Sequence, residues 1–193
     1  IVDGNRGNPN TMISTPNQEI LIMDLLDDLH QQAEFYGGGV YCLLGNHELM
    51  NVMGDLRYAS DAEINGMGGE QARKNKFRPG GSIAQRLACS RNVIMKIGDF
   101  LFVHGGILPH HTQWTINDLN SQIRSYLLGN TTEKDTPEIH TRYLDSSSLL
   151  WNRDFSNGVP NCQTLGQVLN AYQVGSVIVG HTVQSQGINS KCN

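Results

Sequence analysis

The chain has 193 residues, of which 38% are hydrophobic, 17% charged and 7% aromatic, the composition of one globular domain of ordinary size. Its 14 basic and 18 acidic residues leave a formal charge of −4, which argues against a broad basic surface for nucleic acid. No window approaches about 18 consecutive apolar residues, so no membrane partner is expected.

Residues 4–16 are turn formers and polar residues and read as a loop. Leu21, Ile22, Leu25, Leu26, Leu29 and Ala33 then repeat at helical spacing, predicting a helix over 17–35 with that stripe facing inward. Gly37-Gly38-Gly39 ends it. Val40–Leu44 is a short apolar strand that stops at Gly45-Asn46-His47-Glu48. Residues 49–92 are less regular, with a basic run Arg73-Lys74-Asn75-Lys76 that reads as a solvated face and a helix from about Ser82 to Cys89. Asn92–Ile97, a Gly98-Asp99 turn and Phe100–Val103 read as a hairpin running into His104-Gly105-Gly106. An amphipathic helix over 115–128 follows, with Thr115 as N-cap, then a polar loop over 129–147. A helix near Thr164–Tyr172 leads to a last strand, Gly175–Val179, which ends at Gly180-His181-Thr182. Strands and helices mix along the chain, so the fold class is α/β with mixed sheets.

The four cysteines are far apart and make no disulfide framework; Cys42 reads as a buried core thiol. A reducing, cytoplasmic setting is expected. The chain opens on Ile1-Val2-Asp3, like a strand already under way, and stops at Lys191-Cys192-Asn193, so it reads as a fragment.

The chemistry gathers at strand ends. Three apolar strands each deliver the chain to a glycine-flanked polar group: Asn46-His47, His104 and His181; a fourth, Ile1-Val2, delivers Asp3. Ligands of α/β sheets bind at strand ends, and adjoining glycines let the backbone come close. Asp3, Asn46, His47, His104 and His181 are therefore expected to converge, and imidazole with amide or carboxylate oxygen suits zinc, manganese or iron. His30, His110, His111 and His140 sit in polar surroundings and read as solvated.

Gly-Asn46-His47-Glu48, His104-Gly105-Gly106 and Gly180-His181-Thr182, in that order, resemble the calcineurin-like metallophosphoesterases of the phosphoprotein phosphatase superfamily. Residues 48–58 (ELMNVMGDLRY) further resemble its Shewanella-like branch and related phosphatases of large DNA viruses. The resemblance implies a central β-sandwich flanked by helices, and one catalytic domain over 1–193 truncated at both ends. It also implies two divalent metal ions (Mn, Fe or Zn), with one ligand set largely outside this chain. Asn46, His104 and His181 would hold the second metal, and His47 would be the general acid. Ile1-Val2-Asp3 matches the end of a G-D-x-V-D-R-G signature, which makes Asp3 the carboxylate that orients His47. Gly4-Asn5 intervene before Arg6, where the family has Arg directly. Arg6 and Arg153 would bind the substrate phosphate, with Arg57 a competitor for that task.

The activity so implied is a protein serine/threonine phosphatase acting on phosphorylated protein or peptide. Alternatives are a tyrosine phosphatase or a dinucleoside polyphosphate hydrolase of the same fold, or a catalytically silent metal-binding scaffold.

Overall fold

A computed structural model describes residues 17–132 and 134–192. By contacts the chain divides into two compact units. One takes the described part of Ile1–Cys42 with His47–Arg91 and Leu127–Asn130; the other takes Leu43–Asn46, Asn92–Tyr126 and Thr131–Asn193.

The first unit is helical. Its elements are α1 (Gln18–Phe35), α3 (Asp61–Gly66), α4 (Glu70–Phe77), α5 (Ser82–Ser90) and most of α2 (Asn46–Val52). The Ser60 side chain accepts from the Glu63 amide and so caps α3. Only α1 and α5 were legible from periodicity, and α1 turns the other way from its apolar stripe. Leu21, Ile22, Leu25 and Leu29 are 60%, 42%, 56% and 39% exposed, whereas Glu19 and Met23 are buried. The cause lies in α1's acidic residues. Arg73 bonds Glu19, while Arg86 and Arg91 bond Asp24 and Asp27, and these charge-assisted contacts fix which face turns inward. Arg73 thus departs from the solvated reading of the basic run: it is 0% exposed. His30 is half-buried, its Nδ1 accepting from the Val40 amide and its Nε2 beside Glu34.

In the second unit, β3 (Ile94–Ile97) and β4 (Phe100–Val103) form the expected hairpin, and β5 (Ser176–Val179) adds parallel to β4. The order β3-β4-β5 makes a mixed sheet, as the sequence predicts. Gly98 supplies the positive φ, 57°, that a two-residue hairpin turn needs. Ile94, Leu101 and Val103 are fully buried. Upstream, β1 (Cys42–Leu43) pairs with β2 (Arg91–Asn92), and the Leu44 amide donates to the Asn92 carbonyl at 2.9 Å. Cys42 is half-buried rather than buried.

The helices of this unit are α6 (Ile116–Leu127), α7 (Thr136–Tyr143) and α8 (Cys162–Tyr172). Thr115 and Asp118 exchange hydrogen bonds at the start of α6, a reciprocal cap. The polar stretch read as a loop over 129–147 holds α7, anchored by Ile139 and Tyr143, which are buried four residues apart. Cys162 and Cys192 form a disulfide with Cα atoms 5.4 Å apart, which corrects the expectation of four free thiols. Proximity comes from the fold: the chain returns past the start of α8 after β5, a relation that spacing alone does not reveal. Among the described residues no helix is long and apolar enough to cross a membrane.

Candidate metal centre

Parallel pairing of β4 and β5 sets Val103 opposite Val179, so both strands end side by side. The next residue of β4 is His104; beyond β5 come Gly180 and His181. The Gly180 amide donates to the His104 carbonyl at 2.9 Å, extending the ladder by one bond. His104 and His181 then face each other with ring centroids 4.9 Å apart and planes at 59°. His181 has φ 60°, in the left-handed region that few non-glycine residues occupy. The Thr182 amide donates back to the Gly180 carbonyl at 2.5 Å, so His181 heads a tight γ-type turn. Strain of this kind persists where neighbours fix the conformation, and it gathers at functional sites.

Asn46 arrives from β1. It is 2% exposed, and its Oδ1 lies 2.8 Å from His104 Nε2, a hydrogen bond when the ring carries its proton on that nitrogen. Its Nδ2 is buried with no partner among the described residues. A side-chain amide held by one atom only is unusual in a protein interior.

The turn after β4 is packed too tightly for side chains. Both the Gly105 and Gly106 amides donate to the Leu149 carbonyl, at 3.0 and 3.2 Å. A Cβ at Gly105 would stand 2.8 Å from the Leu150 carbonyl carbon, and one at Gly106 would stand 3.0 Å from Asn152 Oδ1. This approach seats the segment Trp151-Asn152-Arg153 beside the histidines: the Trp151 ring meets His181 edge-on at 5.3 Å. Asn152 is fully buried, and its Oδ1 accepts from the Asp154 amide. Arg153 is half-buried.

His47, the next residue after Asn46, is described within the first unit. It is 5% exposed, and its ring stacks on Tyr58 at 4.6 Å with planes 3° apart. Arg57 is tied to Asp55 in its own loop, Nη2 to Oδ2 at 2.6 Å, and that bond holds the Asp55 carboxyl below its usual range. Asp3 and Arg6 lie outside the described residues.

The residues that sequence patterning placed at strand ends are thus brought together in part: Asn46, His104 and His181 meet. Among the described residues no three His, Cys, Asp or Glu side chains cluster for a metal, because the third donor here is a carboxamide. Two imidazoles and an amide oxygen nevertheless fit a divalent cation. Adjacent ligands about 2.1 Å from one ion stand about 3.0 Å apart at an octahedral angle and about 3.4 Å apart at a tetrahedral one. Asn46 Oδ1 and His104 Nε2 are separated by 2.8 Å, nearer the octahedral value.

Sequence reasoning missed Tyr58, Trp151, Asn152 and the buried Arg73. Trp151 carried a faint signal, an aromatic that closes the short apolar run Leu149-Leu150-Trp151 two residues before Arg153. His110 and His140 are exposed as expected, but His111 is buried at 1% exposure. Its Nδ1 accepts from the Leu108 amide, and burial, with His110 and Arg142 nearby, pushes its pKa down to about 3. The short Pro109–Gln113 turn folds that ring inward, which local polarity could not foretell.

Residues 1–185 match the family described as calcineurin-like phosphoesterase. An uncharacterized protein of Acanthamoeba polyphaga mimivirus is 29% identical over 205 residues, which cover 88% of this chain and 81% of that protein. Shewanella-like protein phosphatase 2 of Arabidopsis thaliana is 28% identical over 222 residues, which cover 91% of this chain and 56% of that protein. The solved cold-active protein tyrosine phosphatase of a psychrophilic Shewanella superposes with a TM-score of 0.69 at 27% identity, over 87% of this chain and 51% of that one. The chain therefore spans about half the length of these two phosphatases. The ordered motifs, the mixed sheet and the family match together place this chain in the calcineurin-like phosphoesterase family.

Proposed function

We propose that this chain carries part of the active centre of a metal-dependent phosphoprotein phosphatase. One observation carries the reading: Asn46 and His104, 58 residues apart, meet at 2.8 Å with His181 facing the same imidazole. The family generally works with two divalent metals. When bound, such cations supply positive charge to the phosphoryl oxygens and acidify an attacking water.

In this reading Asn46 Oδ1 and the imidazoles of His104 and His181 hold one cation, be it manganese, iron or zinc. The remaining ligands of the metal pair are not among the described residues. Arg153, with Arg6, binds non-bridging phosphate oxygens through planar guanidinium forks. His47 is the general acid. As the P–O bond breaks, the ester oxygen keeps the bonding pair and takes the proton from a ring nitrogen of His47. Asp3 accepts from the other ring nitrogen, which favours the imidazolium before transfer. Because His47 follows Asn46 directly, a single peptide bond joins the acid to a metal ligand.

The substrate read from the motifs is phosphoserine or phosphothreonine in proteins. A second reading, phosphotyrosine, is favoured by the fold likeness to a protein named as a tyrosine phosphatase. Hydrolysis of phosphoserine, phosphothreonine and phosphotyrosine peptides by the full-length protein with Mn²⁺, with and without chelator, tests both. Chelator-sensitive turnover is expected. Inactivity on all three peptides in metal-loaded protein overturns the phosphoprotein phosphatase reading and leaves a dinucleoside polyphosphate hydrolase or a binding scaffold, which diadenosine tetraphosphate as substrate separates.

A further inference from the structure

The first unit buries a line of polar and charged groups where an apolar core would serve for stability alone. Glu19 on α1, Arg73 on α4 and Asn51 on α2 are 1%, 0% and 2% exposed. Arg73 Nη2 donates to Glu19 Oε2 at 2.8 Å, and its Nε donates to Asn51 Oδ1 at 2.7 Å. The guanidinium also lies 4.8 Å over the Phe77 ring, which fixes its plane. Asn51 Nδ2 then donates to the His47 carbonyl oxygen at 2.9 Å. Directional bonds run unbroken from α1, through α4, to the first turn of α2.

Burying such an ion pair is expensive, and apolar replacements of similar volume are often neutral or better for stability. What the line supplies is geometry. A planar fork can hold a carboxylate and an amide oxygen at fixed angles at once, which turns the N–H groups of that amide in a fixed direction. The group it reaches is the backbone of His47, whose ring stacks on Tyr58.

We propose that Glu19, Arg73 and Asn51 form a positioning relay for His47, holding the first turn of α2 so that the imidazole keeps its aim on the leaving group. The inference rests on His47 being the general acid. Displacing a catalytic group by about 1 Å can cost about 10²-fold in rate. Such a loss falls mainly on substrates whose leaving group needs a proton.

The test uses the metal-loaded full-length protein and two esters: an alkyl phosphate, a poor leaving group, and p-nitrophenyl phosphate, whose phenolate leaves unaided. Asn51→Asp keeps an oxygen for Arg73 but removes the donor to His47. Its ratio of kcat on the alkyl ester to kcat on the aryl ester is expected to drop about 10²-fold, with KM and metal content near wild type. Arg73→Lys, which cannot serve Glu19 and Asn51 with one fork, is expected to shift the ratio in the same direction. In a His47→Asn background, Asn51→Asp is expected to change the ratio no further. Equal losses on both esters in a folded variant, or no loss, overturn the relay. If Asn51→Asp does not fold, the Arg73→Lys ratio decides in the same way. If His47→Asn itself leaves the ratio unchanged, the general-acid reading falls and the relay falls with it. If His47→Asn lowers the ratio and neither relay variant does, only the relay falls.

Discussion

Asn46 Oδ1 and His104 Nε2 lie 2.8 Å apart across 58 residues of sequence, and His181 faces the same imidazole at 4.9 Å between ring centroids. The amide and imidazole already stand at the spacing of two adjacent ligands on one ion. Removing either should therefore cost metal rather than fold. His104→Ala and Asn46→Ala are each expected to weaken metal binding by at least about 10-fold, since even residues one shell further out typically cost that much. Elemental analysis after dialysis checks this. His47→Asn is the contrast: metal content is expected to persist while kcat falls by about 10²–10⁴. Metal retained by both ligand variants would remove the site.

How far this centre could be read without coordinates varies by residue. Asn46, His104 and His181 were legible because each follows an apolar strand and sits beside glycine, a local signature. The meeting of His104 and His181 needs only that β4 and β5 be parallel neighbours, whereas Asn46 arrives from β1, which belongs to the other sheet. The helices α3, α4 and α7 were not legible, because they bury only one or two side chains each and show too little apolar rhythm. Helix α2 was not legible for the opposite reason, since all seven of its residues are buried and no polar face alternates with an apolar one. The inward face of α1 was misread for a related reason. Its orientation is decided by Arg73, Arg86 and Arg91, all more than 45 residues away along the chain. Arg73 itself hid in a basic run, where only its spacing of four from Phe77 hinted that it points inward.

The glycine turn after β4 gives a packing prediction. Every atom that a Gly105 Cβ would crowd, from 2.8 to 3.0 Å, is backbone of Leu149 or Leu150, so no side chain can swing away. Gly105→Ala is expected to cost about 1–3 kcal/mol, the usual range for overpacking. It should also weaken metal binding, because the displaced segment carries Trp151, which edges His181. Gly166→Ala is the control. Gly166 lies inside α8 with nothing within 4 Å of an added Cβ, so that substitution should stabilise by about 0.5–1 kcal/mol. Urea unfolding of the two variants beside wild type measures both, and the opposite order of stabilities would refute the packing.

His111 predicts a pH dependence. Its folded pKa, about 3, lies below the ordinary value of 6.5, so the unfolded chain binds a proton that the folded chain refuses. Its contribution to stability is complete above pH 6.5 and is lost as pH falls toward 3. The slope is about 1.4 kcal/mol per pH unit, or about 2 kcal/mol between pH 6.5 and 5. Protonation would also turn Nδ1 from the acceptor of the Leu108 amide into a donor facing a donor. Unfolding free energies of wild type and His111→Gln, compared at pH 7 and 5, isolate this contribution. Wild type should lose about 2 kcal/mol more than the variant over that interval. Equal losses would show that His111 titrates normally.

The Cys162–Cys192 bridge makes the last prediction, and it bears on where the chain can keep its shape. The two residues are 30 apart, and the loop between them contains α8 and β5, the strand that delivers His181. Closing a loop of that length restricts the unfolded chain, and such bridges are typically worth about 2–4 kcal/mol. For a chain of this size, each kcal/mol moves Tm by about 2–4 °C. Cys162 is exposed, so reductant can reach the bond. Reduction is therefore expected to lower Tm by roughly 4–16 °C, and Cys162→Ser should reproduce the shift without reductant. A thiol count in denaturant adds an independent check, because Cys42 and Cys89 are the two free cysteines. Unreduced protein should titrate two thiols and reduced protein all four. Four thiols in protein prepared under oxidising conditions would mean that the bridge does not form. The fall in Tm should be accompanied by weaker metal binding, because loosening β5 loosens His181, whereas a bridge that merely tied down the C-terminal segment would leave metal affinity where it was.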